Sequence, residues 1–139
     1  MSSIKDVKLI DFKKLHDSRG KLVIAGDKLP FDVKRMFYSY DSEADAIRAN
    51  HANQNATFIF IAMSGSFVVD VTDSTGDRGV FRLDKPHVGL YLPAMTWKKV
   101  YDFSSDAIFL ALSDMTQLED KVIYDYEAFL DFDFLEKKK

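Results

Sequence analysis

A single histidine stands among asparagines at the start of an apolar segment, in the stretch RANHANQNATFIF (residues 48–60). His51 and Asn53 are two residues apart, so in an extended strand their side chains face the same way. Imidazole takes up and releases protons near neutral pH, which makes His51 a candidate general base. Arg48, just upstream, carries a guanidinium suited to bidentate contact with an anionic group. On spacing alone, however, a histidine beside asparagines is more often a hydrogen-bonding residue at a turn.

The same stretch does not indicate a metal site. The chain has no cysteine, which excludes disulfides, thiolate metal sites and cysteine nucleophiles. A metal site in a barrel needs several histidine or carboxylate ligands, whereas the position paired with His51 is Asn53, a poor ligand. The other two histidines, His16 and His87, lie far away in the sequence at predicted turns. We therefore expect no metal.

The elements that would position His51 are short strands. Up to about Ser113 the chain is a series of segments rich in Val, Ile, Phe and Tyr, a composition typical of strands: VKLIDF, KLVIAG, VKRMFYSY, TFIFIAM, SFVVDV, VFRL, VGLYLP, WKKVYDF and AIFLAL. Turn-forming stretches such as DSRG, GDKLP and DSTGDRG separate them. In SFVVDV, the side chains of Phe67, Val69 and Val71 share one face, and DSTGDRG predicts a hairpin with a glycine at positive φ. Many short strands at regular spacing predict a β-sandwich or barrel.

The pattern changes after Ser113. In TQLEDKVIYDYEAFLDFDFLEKKK, the apolar residues Val122, Tyr126, Phe129 and Leu130 fall at helical spacing. We expect a C-terminal helix packed on the barrel or on a partner.

Composition narrows the class of protein. A chain of 139 residues, 47% hydrophobic and 29% charged, fits one soluble domain spanning residues 1–139. The formal net charge of −3 gives no basic surface of the kind that binds nucleic acid. No segment is long enough to span a bilayer, and the start of the chain lacks the apolar core of a signal peptide. We expect a cytoplasmic protein that binds neither membrane nor nucleic acid.

Several segments, taken together and in order, resemble the cupin-fold sugar 3,4-ketoisomerases. They are DSRG, PFDVKRMFY, RANHAN, SGSF, VGLYLPAMTWKKVYDFSSD and LALSD, and the resemblance runs from about Leu9 to Phe129. The VGLY…P…W…DFS block is its most specific part. The resemblance implies an all-β fold, a cupin or jelly-roll β-barrel with a short C-terminal helix. It also implies a homodimer with strands exchanged between subunits.

The resemblance further implies an isomerase that moves the keto group of dTDP-4-keto-6-deoxy-D-glucose from C4 to C3 through an enediol(ate). The product would serve biosynthesis of 3-amino-3,6-dideoxy sugars, of the fucose or quinovose type, for surface polysaccharide. No metal or other cofactor is implied. Removing a proton next to a carbonyl needs a positioned base and hydrogen-bond donors aimed at the developing oxyanion.

The resemblance assigns roles to four residues. His51 matches the first histidine of the family motif R-G-x-H-A-H and is the candidate base at C3. Arg48 matches the arginine of that motif and would bind the diphosphate. Tyr38, in RMFY, matches a family aromatic near the sugar and could donate or relay a proton, while Arg35 could also serve the diphosphate. For Tyr38 and Arg35 the alternative is an ordinary barrel strand with an outward arginine.

The sequence departs from the motif at two positions, where Asn53 replaces the second histidine and Ala49 replaces the glycine. An amide is not a general acid or base, so Asn53 could only orient the substrate or hold a water. Trp97 would form either a pocket wall or part of the core. Lys98, where a family histidine often stands, and Arg19, in DSRG, would lie near the sugar. They would decide which face of C4 is reprotonated, giving a galacto- or gluco-configured product.

Two alternative functions remain open at this point. One is a 3,5-epimerase acting on the same substrate, since related barrels perform that reaction with histidine and tyrosine. The other is a catalytically silent cupin that binds the dTDP-sugar but has lost its second histidine. The presence of His51, Arg48 and Tyr38 together favours activity, whereas Asn53 favours the silent alternative.

Overall fold

The computed structural model describes residues 2–137, which form an almost entirely antiparallel β-structure with one helix near the end. The strands are β1 (Lys8–Asp11), β2 (Lys13–Asp17), β3 (Gly20–Ile24), β4 (Arg35–Tyr40), β5 (Arg48–Asn53), β6 (Phe58–Ser64), β7 (Phe67–Asp73), β8 (Arg78–Leu83), β9 (Val88–Leu92), β10 (Thr96–Tyr101), β11 (Ile108–Ser113) and β12 (Val122–Ile123). The helix is α1 (Tyr126–Lys137), and single 3₁₀ turns cover Ile4–Asp6 and Gly26–Lys28.

Two five-stranded sheets make up the barrel, in the orders β1-β9-β6-β11-β4 and β12-β5-β10-β7-β8. Apolar side chains from both sheets meet in one core cluster, with Phe60 and Leu90 from the first sheet and Phe67 and Val69 from the second. Alternate residues of a strand point to opposite faces, which is why the alternating pattern of β7 places Phe67, Val69 and Val71 inside, each 0% exposed. The prediction of an all-β barrel is confirmed.

Local turn chemistry also matches the sequence. The DSTGDRG stretch joins β7 to β8 as a hairpin, and its Gly76 has φ +94°. A positive φ of this kind is accessible to glycine because it lacks a Cβ atom.

Three local predictions were wrong or missed. The polar strand β2 and the short strand β12 were not predicted, and His16 lies within β2 rather than at a turn.

Strands β2 and β3 form a separate two-stranded sheet rather than joining the barrel. Its apolar residues Leu15 and Leu22 are 43% and 58% exposed. The neighbouring strand in the sequence, β4, is an edge strand of the first sheet and exposes Met36 and Tyr40 to more than half of their surface. Exposed apolar side chains along an unpaired strand edge are typical of a surface that another strand covers.

Helix α1 packs on the outer face of the second sheet. Phe129 is fully buried in a cluster with Trp97, Ile123, Ala52 and Met95. The predicted C-terminal helix on the barrel is therefore confirmed, although Val122 belongs to β12 and not to the helix. Within residues 2–137, no helix has the length and apolar character needed to cross a bilayer.

Candidate active site

Strand β5 carries His51 between β12 and β10. In the antiparallel register His51 lies opposite Lys98 of β10, and Ala52 lies opposite Trp97. Residues directly opposite each other in an antiparallel pair project from the same face of the sheet. His51 and Lys98 are therefore neighbours on the inner face, whereas Ala52 and Trp97 belong to the outer face beneath α1.

A β-bulge interrupts this pairing at the residues before His51. The register shifts between Lys98 and Lys99, which leaves Asn50 as the extra residue on β5. Ala49 and Asn50 both have positive φ, +67° and +61°. Asparagine adopts this conformation more readily than most residues, because its short polar side chain can hydrogen-bond locally. For alanine the conformation costs roughly 1–2 kcal/mol. The strain falls beside the candidate base, where a bulge re-aims the side chains that follow it.

A pocket of about 360 Å³ lies between the two sheets at this point. It brings together four of the predicted site residues: Tyr38, Arg48, His51 and Lys98. The remaining lining is largely aromatic and aliphatic: Phe37, Ser39, Ile47, Ala49, Phe58, Phe60 and Phe109. A volume of this size and an apolar wall with a few converging polar groups are typical of a small-molecule site.

His51 is partly buried in this pocket, with the Tyr124 ring against its edge at 5.7 Å between centroids. Burial lowers the pKa of the His51 imidazole below its ordinary value of 6.5, and the positive charge of Lys98 lowers it further. Three other groups raise the His51 pKa and so oppose this shift. The largest effect comes from the backbone of Ala49, followed by the negative charge of Asp120 and the side chain of Asn53. The net result is a neutral imidazole at neutral pH, which is the form that accepts a proton.

Lys98 is a basic residue in the pocket lining that is only 1% exposed, so its charged form is unfavourable there. Its Nζ lies 5.2 Å from the centroid of the Phe58 ring and 3.4 Å from the Thr96 carbonyl oxygen. Burial lowers the pKa of Lys98 to about 7, with the charge of Arg35 acting in the same direction and that of Asp120 against it. Lys98 is therefore a weaker base than an exposed lysine.

Below the pocket, a buried carboxylate joins two residues that the sequence placed at the site. The side chain of Asp120 is 1% exposed and accepts hydrogen bonds from Arg35, at 3.2 Å, and from the Asn53 amide. The Arg35 guanidinium also lies 5.2 Å from the Phe58 ring centroid. Within residues 2–137, Arg35 Nε, Asn53 Oδ1 and Asp120 Oδ1 are buried without a hydrogen-bond partner.

Three predicted binding residues lie outside the pocket lining. Arg35 is held in the ion pair with Asp120 through one terminal nitrogen, and its role toward the diphosphate stays a prediction. Trp97 packs against Tyr126 and Phe129 on the outer face, where it also lines a separate cleft of about 580 Å³ that His51 and Lys98 do not line. Arg19 is at the turn of the β2–β3 hairpin, exposed and paired with Asp17, away from this chain's pocket.

Asp120 was missed by sequence reasoning. It lies in an irregular stretch between β11 and β12, and 67 residues separate it from Asn53. Nothing in the local pattern TQLEDKV distinguishes this carboxylate from its exposed neighbour Glu119. The signal that could have found it is that buried basic residues need a counter-charge. The burial of Arg35 and Lys98, however, is not visible in the sequence.

The donor set at the pocket is poor for a metal ion. Over residues 2–137, no group of three or more His, Cys, Asp or Glu side chains is arranged to hold one. The Asn53 amide is engaged by Asp120, and the Lys98 amine occupies the floor next to His51. The expectation of a metal-free site stays a prediction.

Known proteins share both the sequence and the shape of this chain. Residues 5–133 match the family described as FdtA: WxcM-like, C-terminal. A TDP-4-oxo-6-deoxy-α-D-glucose-3,4-oxoisomerase of Aneurinibacillus thermoaerophilus is 34% identical over 124 residues, 88% of each chain. The structure of WlaRA, a TDP-fucose-3,4-ketoisomerase from Campylobacter jejuni, is 36% identical with a TM-score of 0.84, covering 91% of this chain and 95% of that one.

A third structure contains a bound nucleotide sugar. It is a His-to-Asn mutant of the 3,4-ketoisomerase QdtA from Thermoanaerobacterium thermosaccharolyticum, in complex with TDP-4-keto-6-deoxyglucose. It is 25% identical with a TM-score of 0.84, covering 94% of this chain and 95% of that one. These similarities extend over nearly the whole described chain, so they include both sheets and the pocket between them.

Proposed function

The chain belongs to the FdtA family of WxcM-like C-terminal domains, and on that basis we propose that it is a nucleotide-sugar 3,4-ketoisomerase. Its substrate is dTDP-4-keto-6-deoxy-D-glucose, whose keto group it moves from C4 to C3. The product serves the synthesis of 3-amino-3,6-dideoxy sugars for surface polysaccharide, and the reaction takes place in the cytoplasm within one domain. Family membership favours this reaction over 3,5-epimerisation.

The observation that carries the proposal is the position of the His51 imidazole in a pocket shared with Tyr38 and Lys98, where burial lowers its pKa. In the proposed reaction, His51 removes the hydrogen from C3. The electron pair of that bond forms the C3=C4 double bond, and negative charge develops on the C4 oxygen. Donors in the pocket stabilise this oxyanion, which is the usual largest electrostatic contribution in such reactions. Returning a proton to C4 completes the shift and leaves the carbonyl at C3.

The nucleotide diphosphate is assigned to Arg48, which is exposed at the rim of the pocket. Its Nε donates a long hydrogen bond to the Ser42 hydroxyl at 3.4 Å, and its two terminal nitrogens are available for a bidentate contact. We expect Arg48→Ala to weaken binding of thymidine diphosphate about 10–100-fold, because hydrogen bonds to charged groups contribute roughly 1.5–3 kcal/mol. Isothermal titration calorimetry with thymidine diphosphate measures the effect.

The control for Arg48 is Arg82→Ala, which removes an exposed arginine of β8 that lies against Ser66 and not at the pocket. Its dissociation constant should equal that of the unmodified protein. An Arg48→Ala protein that binds thymidine diphosphate normally would contradict the assignment.

The β2–β3 hairpin supports a homodimer with exchanged strands. The exposed apolar residues here are Leu15 and Leu22 of the hairpin and Met36 of edge strand β4. Burying them against another subunit would remove apolar surface from water. In the proposed dimer, the hairpin of one subunit lies along β4 of the other. Because Tyr38 belongs to β4 and lines the pocket, this arrangement brings Arg19 from one subunit towards the other subunit's pocket.

Light scattering should give twice the chain mass of 15.9 kDa for the unmodified protein. We expect Leu22→Asp to shift the protein to the monomer, since it places a charge in the buried hairpin contact. The matched control is Val80→Asp, an equally exposed apolar residue on β8 at the edge of the other sheet, which should stay dimeric. A monomeric unmodified protein would overturn the dimer proposal.

The activity is tested by incubating the protein with the 4-keto nucleotide sugar and a 3-aminotransferase, followed by NMR of the product. A 3-amino sugar is the expected result, and its C4 configuration distinguishes the galacto from the gluco product. In heavy water, deuterium at C5 would instead indicate epimerisation. Binding of thymidine diphosphate without turnover would indicate the silent sugar-nucleotide-binding cupin and would end the isomerase proposal.

A further inference from the structure

A 3,4-keto shift moves two hydrogens, and His51 accounts for one of them. The carbon-bound hydrogen passes from C3 to C4, while the hydroxyl hydrogen must leave O3 and another must reach O4. The second transfer needs a group beside the two oxygens that both gives and accepts a proton. Asn53, which replaces the second histidine of the motif, is unable to do so because an amide does not titrate near neutral pH.

Lys98 stands where such a group is needed. It lies directly opposite His51 in the β5–β10 pair, a position in which the Cβ atoms are separated by about 5 Å. Both side chains line the same pocket. A hexose in that pocket therefore lies between walls that carry both the imidazole and the amine.

The surroundings of Lys98 leave its proton mobile. Among the described residues the amine forms no salt bridge, and the Thr96 carbonyl oxygen accepts only a long hydrogen bond, at 3.4 Å. Asp120 accepts hydrogen bonds from Arg35 and Asn53 at Oδ2, and its Oδ1, buried without a hydrogen-bond partner among the described residues, makes no hydrogen bond with Lys98. An amine that served only to bind an anion would gain from staying charged, whereas this one is buried against the Phe58 ring beside a second cation.

We propose that Lys98 is the acid–base group for the two oxygens of the substrate, while His51 serves the two carbons. As the His51 imidazole takes the hydrogen from C3, the Lys98 ammonium donates a proton to O4, giving a neutral enediol. The Lys98 amine then accepts the proton of O3 as the His51 imidazolium returns a proton to C4. The C3–O3 bond becomes the carbonyl, and both side chains regain their starting protonation.

This inference rests on the proposed ketoisomerase activity and adds a role that a merely binding lysine would not have. The starting state needs a neutral His51 and a charged Lys98. Burial shifts the pKa of both groups down, His51 to below 6.5 and Lys98 to about 7. The plot of kcat/KM against pH should therefore rise as His51 loses its proton and fall again near pH 7 as Lys98 loses its own.

The test compares Lys98→Arg and Lys98→Met in the full-length protein. Arginine keeps the positive charge but does not release a proton in this range, and methionine keeps the length without charge. We expect kcat to fall about 10²–10³-fold in both variants. The affinity for thymidine diphosphate should change less than about threefold, since the amine does not serve the nucleotide. In the residual activity of Lys98→Arg, the fall of kcat/KM near pH 7 should be absent.

The neighbouring residue provides the control. Lys99 is exposed and faces the opposite side of β10, so Lys99→Arg and Lys99→Met should leave kcat and its pH profile unchanged. If Lys98→Arg retains wild-type kcat, the charge alone matters and the proposal is overturned. The same conclusion follows if its residual activity still falls near pH 7.

A second measurement does not depend on turnover. Carbon-13 NMR of lysine Cε, with the Lys98 signal identified by its loss in Lys98→Met, should show a titration midpoint close to 7. A midpoint above about 9, near the ordinary range of lysine, would overturn the proposal even in an active enzyme. An unmodified protein with the low midpoint but no isomerisation would instead refute the ketoisomerase function, and the role of Lys98 in it.

Discussion

His51→Asn is expected to lower kcat for isomerisation by about two to four orders of magnitude, the usual effect of losing a general base. Asparagine occupies similar space in the half-buried site but does not accept the C3 proton. Binding of thymidine diphosphate should stay nearly unchanged, because Arg48 at the rim carries that contact. The His-to-Asn mutant of QdtA, which holds TDP-4-keto-6-deoxyglucose, shows that a substitution of this kind is compatible with a bound nucleotide sugar in that protein.

Single-turnover kinetics with the 4-keto sugar, together with calorimetry of thymidine diphosphate binding, separate the two effects. The same substitution at His87, which lies in the turn before β9, should leave both quantities unchanged. In the unmodified protein the activity should persist to a lower pH than an ordinary imidazole allows, because burial lowers the His51 pKa below 6.5. Normal turnover by His51→Asn would remove this residue from the mechanism.

Asp120→Asn should produce the largest loss of stability of any single substitution at the site, about 3–5 kcal/mol in the free energy of unfolding. The carboxylate is 1% exposed and holds Arg35 in an ion pair. It also opposes the lowering of the Lys98 and His51 pKa values. Removing its charge leaves Arg35 and Lys98 without a counter-charge. The pKa values of Lys98 and His51 should then fall further, so the loss of activity on the alkaline side should begin at lower pH.

Urea unfolding monitored by tryptophan fluorescence measures the first effect, and the pH profile of kcat/KM measures the second. Asp84→Asn, in the exposed connection after β8, is the control and should change the unfolding free energy by less than about 0.5 kcal/mol. The role of Asp120 would be refuted by a variant whose urea midpoint and pH profile both match those of the unmodified protein.

The placement of Lys98 and Trp97 shows how far a local pattern reaches. The two are adjacent on β10, and adjacent residues of a strand point to opposite faces. Periodicity alone therefore implies that only one of them enters the pocket, but it does not say which. The pairing with β5 decides this, because it sets Lys98 against His51 and Trp97 against Ala52, under the helix.

Patterns along the chain were enough to predict the strands with alternating or apolar residues, the glycine turn after β7, the terminal helix and the resemblance carried by RANHAN and VGLYLPAMTWKKVYDF. These properties are local, since side-chain alternation and turn preferences depend on a few neighbouring residues. The pKa shifts in the pocket, in contrast, follow from contacts between residues far apart in the chain. Asp120 approaches Asn53 from 67 residues away, and the burial that shifts Lys98 arises from two sheets closing over it. A pKa depends on solvent and charge in three dimensions, which no spacing along the chain encodes.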